Sequence, residues 1–307
     1  MNMTPYYPFR SAAAKEEYLT RYDAMADAWP VPSECRMIDT AYGQTFVRIS
    51  GPVDAPPLIL LHGAGGNSLQ WMFNIEALSA HHRTYAVDSL INTGGVGRSV
   101  YTQAITGAEA AMDWLDELFT ALDLAENINL LGGSYGGWLA SHYALHAPNR
   151  LDKVVLIAPA GTVLPFRAAY MLRVIWLSLF PRHGNYLRFF RWAFRDLARQ
   201  NNQFLEEMAA DAFASSKSFE PVNPNQLPKL TAMSDAELQR LQQVPTLFMV
   251  GENEVLYSAQ KAVERLRTVA PQVAVAFISD AGHDLLILQT ATVNEKVVAF
   301  LGNRPNE

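Results

Sequence analysis

One cysteine, Cys35, stands in 307 residues, which excludes an intrachain disulfide and any zinc site built on cysteine. Strong charge is missing too. The formal net charge is -6, with no basic tail or polybasic run, so nothing draws the chain toward nucleic acid. No apolar run approaches the roughly 20 residues that span a bilayer, and stable membrane insertion is not expected. The start, Met1-Asn2-Met3-Thr4-Pro5, lacks a charged segment followed by an apolar one, so no secretory signal is read and the expected location is cytoplasmic. Phosphate loops are lacking as well: no G-x-x-x-x-G-K-[ST] occurs, and Gly95-Val96-Gly97 is followed by Val100 where a dinucleotide fingerprint needs glycine. His142 and His146 have i, i+4 spacing but no H-E-x-x-H glutamate, so packing is expected there rather than metal binding. Neither cofactor nor metal is expected.

Half of the residues are hydrophobic, and the length suits one large catalytic domain with an inserted module. Strand-like runs occur at 45–49, 58–61, 83–87, 127–131, 154–157, 246–250 and 275–278, most of them continuously apolar. Such runs suit parallel strands covered on both faces. Helical spacing between them, at 107–122 and 137–147, predicts an α/β fold with a mostly parallel sheet. The reading divides the chain into an N-terminal helical arm (1–40), a core (41–161 and 244–307) and a helical cap (162–243). In the arm, Tyr18, Tyr22, Met25 and Trp29 fall on one side of a helix over 11–29.

The cap segment interleaves aromatics with arginines, from Phe166 and Arg167 to Phe194 and Arg195. The first reading of its aromatics and methionines, Met171, Trp176 and Phe180 among them, is the insertion's own core. A membrane contact through 171–180 is the weaker reading. Some of these side chains should line a water-poor cleft over the sheet end. The stretch Pro221-Val222-Asn223-Pro224-Asn225 is read as an ordered turn or hinge.

The chemistry gathers around Gly132-Gly133-Ser134-Tyr135-Gly136, a G-x-S-x-G motif between a strand pattern and a helix pattern. Such a turn strains the serine backbone and lifts its hydroxyl clear of the sheet, with a helix N-terminus directly behind it. A serine hydroxyl needs a base and a group to orient that base. His283, in Ala281-Gly282-His283-Asp284 after the last strand pattern, is the candidate base; its other reading is a surface-loop histidine. Glu254, in Gly251-Glu252-Asn253-Glu254 after the preceding strand, is the choice for the acid, with Glu252 as its competitor. The order Ser134, Glu254, His283 is that of α/β-hydrolases. The glycine-rich His62-Gly63-Ala64-Gly65-Gly66 brings backbone toward the same place, and the N–H groups of Ala64 and Tyr135 are assigned as the oxyanion hole.

On these motifs, together with Val87-Asp88 and Gly95-Val96-Gly97-Arg98-Ser99, the chain resembles the α/β-hydrolase family, and within it the cap-bearing bacterial carboxylesterases, over roughly residues 40–305. The resemblance implies a serine nucleophile at Ser134, acid at Glu254, base at His283, oxyanion amides at Ala64 and Tyr135, and a cap. Two departures stand out. Most relatives carry aspartate where this chain has Glu254, so a compensating backbone shift is expected to orient His283. The segment after Asp88 is also longer than usual. A serine nucleophile argues against the dehalogenase and epoxide hydrolase branches, which use aspartate. The expected function is hydrolysis of a small-molecule ester. A proline iminopeptidase-like peptidase, a carbon–carbon bond hydrolase and a non-catalytic receptor are the alternatives, and the oligomeric state stays open.

Overall fold

Strand β3 (Pro57–Leu61) shows why the apolar runs are continuous. Leu58 and Leu60 pack into one core with Leu131 and Val155, while Ile59 and Leu61 pack into a second with Leu130 and Val154. Side chains alternate across a strand, so a sheet covered on both sides needs apolar residues at every position. The computed structural model describes residues 7–91, 93, 95–220 and 227–302. The Pro-Asn stretch at 221–225 lies outside them.

The strands are β1 (Ser33–Thr40), β2 (Gly43–Ser50), β3, β4 (Arg83–Val87), β5 (Val100–Tyr101), β6 (Ile128–Gly133), β7 (Leu151–Ile157), β8 (Thr246–Gly251) and β9 (Ala274–Ile278). They lie in the order β1-β2-β4-β3-β6-β7-β8-β9, with β5 beside β2. From β4 through β9 the pairing is parallel, and β1, β2 and β5 pair antiparallel.

The helices are α1 (Ala12–Ala26), α2 (Ile75–Ser79), α3 (Gly107–Ala121), α4 (Tyr135–His146), α5 (Ala168–Leu179), α6 (His183–Ala193), α7 (Arg195–Gln200), α8 (Asn202–Ser218), α9 (Asp235–Leu241), α10 (Ala259–Val269), α11 (Leu285–Leu288) and α12 (Thr290–Gly302). Buried residues of α3, α4, α9 and α10 fill one core, and those of α2, α11 and α12 fill the other. Helices α5 to α8 form the insertion between β7 and β8. Helix α9, which falls inside the segment expected as cap, packs its buried Leu238 and Leu241 into the main core.

The first 40 residues are not all helical arm. Ser33–Thr40 forms edge strand β1, in which only Ile38 is buried, so no apolar alternation marks it in the sequence. Tyr18 and Tyr22 are buried as expected, but Met25 is 38% exposed. The arm also ties the insertion down: Phe9 stacks on Phe219 with ring centroids 4.7 Å apart, and Arg10 Nε donates to the Phe219 carbonyl at 2.6 Å.

Candidate active site

Parallel strands β6, β8 and β9 end at the same edge of the sheet, and the turns that leave them carry Ser134, Glu254 and His283. Ser134 sits between β6 and α4 with φ 51 and ψ -114, a left-handed conformation rare outside glycine and costly unless its surroundings hold it. Here its N–H donates to the Ile157 carbonyl at 2.9 Å, and its own carbonyl accepts from Ala160 at 3.0 Å. The flanking glycines are needed for close approach. A Cβ at Gly132 would run into the Gly136 carbonyl, and one at Gly136 into the Leu61 carbonyl.

His283 follows β9 and reaches back over the sheet edge. Its Nε2 lies 2.9 Å from Ser134 Oγ, and its Nδ1 lies 2.9 Å from Glu254 Oε2. Glu254 is buried, and its Oε1 accepts from the N–H groups of Val255 at 2.7 Å and Leu256 at 2.8 Å. The carboxylate thus folds back on the turn that carries it, which accommodates the methylene by which it exceeds aspartate. The competitor Glu252 is exposed.

Burial pushes the His283 imidazole down, but the Glu254 charge and hydrogen bond, with the Asp284 charge, together carry its pKa above the ordinary histidine value. An opposite charge beside a titrating group favours its charged form.

The glycine-rich loop after β3 lies against the serine: a Cβ at Gly63 would come within 3.3 Å of Ser134 Cβ. His62 braces the loop from beneath. It is buried, accepts from the Ser89 N–H through Nε2 at 3.1 Å and donates from Nδ1 to the Gly63 carbonyl at 2.8 Å. Burial lowers its pKa, so it is a neutral structural histidine, as its turn context suggested. Ala64 is exposed on this loop, and Tyr135 is the first residue of α4. The structure therefore gathers Ser134, Tyr135, Glu254, His283 and the Ala64 loop in one place.

Other histidines are occupied elsewhere. His146 Nε2 meets Asp116 at 2.7 Å, and the His142 ring packs at a tilt against Trp138 with centroids 4.2 Å apart. Among the described residues no cluster suited to a metal ion occurs.

Sequence reasoning missed two supporting residues. Gln70, in the helical turn Ser68–Trp71, accepts from the Gly63 N–H at 2.9 Å through Oε1, while its Nε2 faces Gly133; it spans the glycine-rich loop and the serine turn. Asp284, next to His283, is buried and accepts from the N–H groups of Leu197 in α7 at 2.8 Å and Gly282 at 2.9 Å. It pins the insertion to the histidine loop. A neighbouring bond runs the other way, from Asn253 Nδ2 to Asp196 of α7 at 2.8 Å. Nothing in local spacing marks either residue, because their partners come from distant turns.

The profile of the alpha/beta hydrolase family matches residues 58–296. The chain belongs to that family. It is 32% identical over 283 residues to an uncharacterized carboxylesterase, nap, of Bacillus subtilis (strain 168), covering 92% of this chain and 91% of that protein. It is 30% identical over 293 residues to carboxylesterase YbfK of the same strain, covering 95% and 96%. The crystal structure of naproxen esterase (carboxylesterase NP) from Bacillus subtilis superposes with a TM-score of 0.85 at 30% identity, over 95% of this chain and 99% of that one. Whole-chain coverage includes the helical insertion, so the α/β-hydrolase reading extends to it. No helix among the described residues is long and apolar enough to cross a membrane.

Proposed function

We propose that this hydrolase cleaves carboxylic esters of small to medium hydrophobic substrates through an acyl-enzyme on Ser134. The observation that carries the reading is the hydrogen-bonded line from Ser134 Oγ through both ring nitrogens of His283 to Glu254, each step 2.9 Å. Geometry of this kind lets a poor nucleophile attack at neutral pH. Ser134 Oγ attacks the ester carbonyl carbon as its proton passes to His283 Nε2. The carbonyl oxygen becomes an oxyanion held by the N–H groups of Ala64 and Tyr135. Glu254, held by Val255 and Leu256, fixes the imidazole orientation and stabilises the imidazolium. The proton on Nε2 then goes to the leaving alcohol oxygen. Water, activated by the same Nε2, releases the acid.

Helices α5 to α8 form the cap in this reading. Phe166, Tyr170, Phe189 and Trp192 make ring contacts within it, and Phe194 lies over His283 with centroids 6.2 Å apart. Those rings supply an apolar wall, which favours a hydrophobic acyl or alcohol group. The carboxylesterase relatives support the ester class.

Hydrolysis of p-nitrophenyl esters of increasing acyl length, wild type against Ser134→Ala, tests the proposal. Ser134-dependent turnover with a preferred chain length is expected. Absence of Ser134-dependent turnover on every ester would contradict it and shift the reading to peptide or carbon–carbon bond cleavage, or to a receptor role.

A further inference from the structure

Helix α5 is apolar on both sides. Tyr170, Val174 and Leu177 are partly covered, facing the cap. Met171, Leu172, Ile175, Trp176 and Leu179 are spaced i, i+1, i+4, i+5 and i+8, which gathers them on the opposite face. They are between 40% and 67% exposed, and Phe180 extends the patch at 41%. No residue of α5 is buried. Six of the eleven large hydrophobics exposed among the described residues lie in this one stretch. A helix apolar all round is ordinarily buried, and a contiguous exposed apolar patch marks an interaction surface.

Charge decides what covers it. Although the whole chain is acidic at -6, no Asp or Glu occurs between Asp152 and Asp196, where six arginines lie from Arg167 to Arg195. Among the described residues, Arg191 pairs with Glu206 at 2.6 Å, but the others have no carboxylate partner. Arg173 bonds the Ala169 carbonyl and lies over Trp192; Arg188 bonds the Gly184 carbonyl and Asn185; Arg182, two residues past Phe180, is exposed. Arg173, on α5 itself, and Arg182, just past it, are exposed beside the patch without a carboxylate among the described residues to pair with, and a second copy of the same stretch would bring no negative charge to meet them. An anionic lipid surface complements them, and the paired rings of Trp176 and Phe180, 4.4 Å apart, are of the kind that settles at a headgroup boundary.

We propose that α5 is a peripheral lipid anchor, laying its outer face reversibly on an anionic lipid surface. At 12 residues and about 1.5 Å rise per residue it lies on a bilayer rather than spanning one. The start of the same helix adjoins the catalytic centre: Arg167, its N-cap, donates its backbone N–H to the Leu256 carbonyl at 2.7 Å and its Nη1 to the Glu254 carbonyl at 3.3 Å. Lipid contact therefore acts on the wall of the substrate cleft. Binding is read without turnover, so this inference stands or falls separately from the esterase reading.

The test is co-sedimentation of the full chain with vesicles of phosphatidylcholine containing phosphatidylglycerol, against phosphatidylcholine alone, at low and high salt. Wild type is expected to pellet with the anionic vesicles and to release as salt rises. Replacing Arg182 by Gln should weaken the partition roughly fivefold, as for loss of one cation near an anionic surface. The double variant Leu172→Glu, Leu179→Glu should stay in the supernatant while keeping the wild-type thermal unfolding curve, since both positions are solvent-facing. Wild type that remains in the supernatant with anionic vesicles, or a double variant that pellets equally, would overturn the proposal. So would a wild-type dimer that the double variant dissolves without any vesicle binding, which would give the face to a second copy.

Discussion

Helices α4 and α5 are both twelve residues long and both mainly apolar, yet nine residues of α4 are buried and none of α5. The difference lies in what surrounds them. Helix α4 lies against the sheet, where Gly136 and Gly137 let its first turn touch the backbone of β3 and Pro159. Trp138 and Tyr143 fill the core around it. Helix α5 belongs to the insertion, where only its inner face is even partly covered. Composition set both as helices, and only the second layer of neighbours decides which apolar face is core and which is a surface for something else. The same contrast separates a site floor built on the sheet edge from the cap wall laid over it.

The largest expected effect sits at the α4 end of this comparison. His283→Ala should cost on the order of 10⁶-fold in kcat, the scale on which a triad base fails. A loss of only a few fold would break the link between the rigid floor and chemistry. The pH profile sharpens it. Because His283 must be neutral to act as base and its pKa is raised by Glu254, kcat/KM should rise with pH through a midpoint above the ordinary histidine value. Glu254→Gln should move that midpoint down, because burial then acts without the carboxylate charge. The linked stability has the opposite slope: protonated His283 beside Glu254 contributes fully below the ordinary imidazole value, and this is lost as pH rises through the raised one. Matching stability curves for wild type and Glu254→Gln across that window would contradict the coupling.

Core packing comes next. Trp138→Ala, removing a side chain 1% exposed, should destabilise by roughly 3 to 5 kcal/mol in denaturant unfolding. Asp284→Ala leaves the N–H groups of Leu197 and Gly282 without their acceptor, an expected cost of about 1 to 3 kcal/mol. It should also raise KM by loosening α7 over the site. An unchanged KM would show that the cap does not depend on this clasp. The smallest effect is on the outer face: Trp176→Ala, at a position 56% exposed, should stay within about 0.5 kcal/mol of wild type. A loss comparable to that of Trp138→Ala would erase the contrast between the two helices.

The sheet and the serine turn were legible in the sequence because their signals are local. Apolar runs bounded by glycine mark parallel strands, and the strand, G-x-S-x-G and helix pattern fixes where Ser134 stands. Edge strand β1 escaped notice because it buries only Ile38, and pairing with β2 depends on backbone rather than on an apolar pattern. Glu254 was chosen over Glu252 in the sequence although both follow β8 and no local signal separates them; the folded turn brings Glu254 to His283 and leaves Glu252 exposed. Gln70 and Asp284 were invisible for the same reason. Met171, Trp176 and Phe180 were expected in the cap core and stand outside it, because periodicity identifies a face but not the layer that covers it.

The most direct measurement is labelling by a fluorophosphonate, followed by peptide mapping. One adduct is expected, on Ser134, formed rapidly by wild type, slowly by His283→Ala and not at all by Ser134→Ala. A wild-type protein that forms no adduct, or carries it on another residue, would contradict the assignment of Ser134 as the nucleophile.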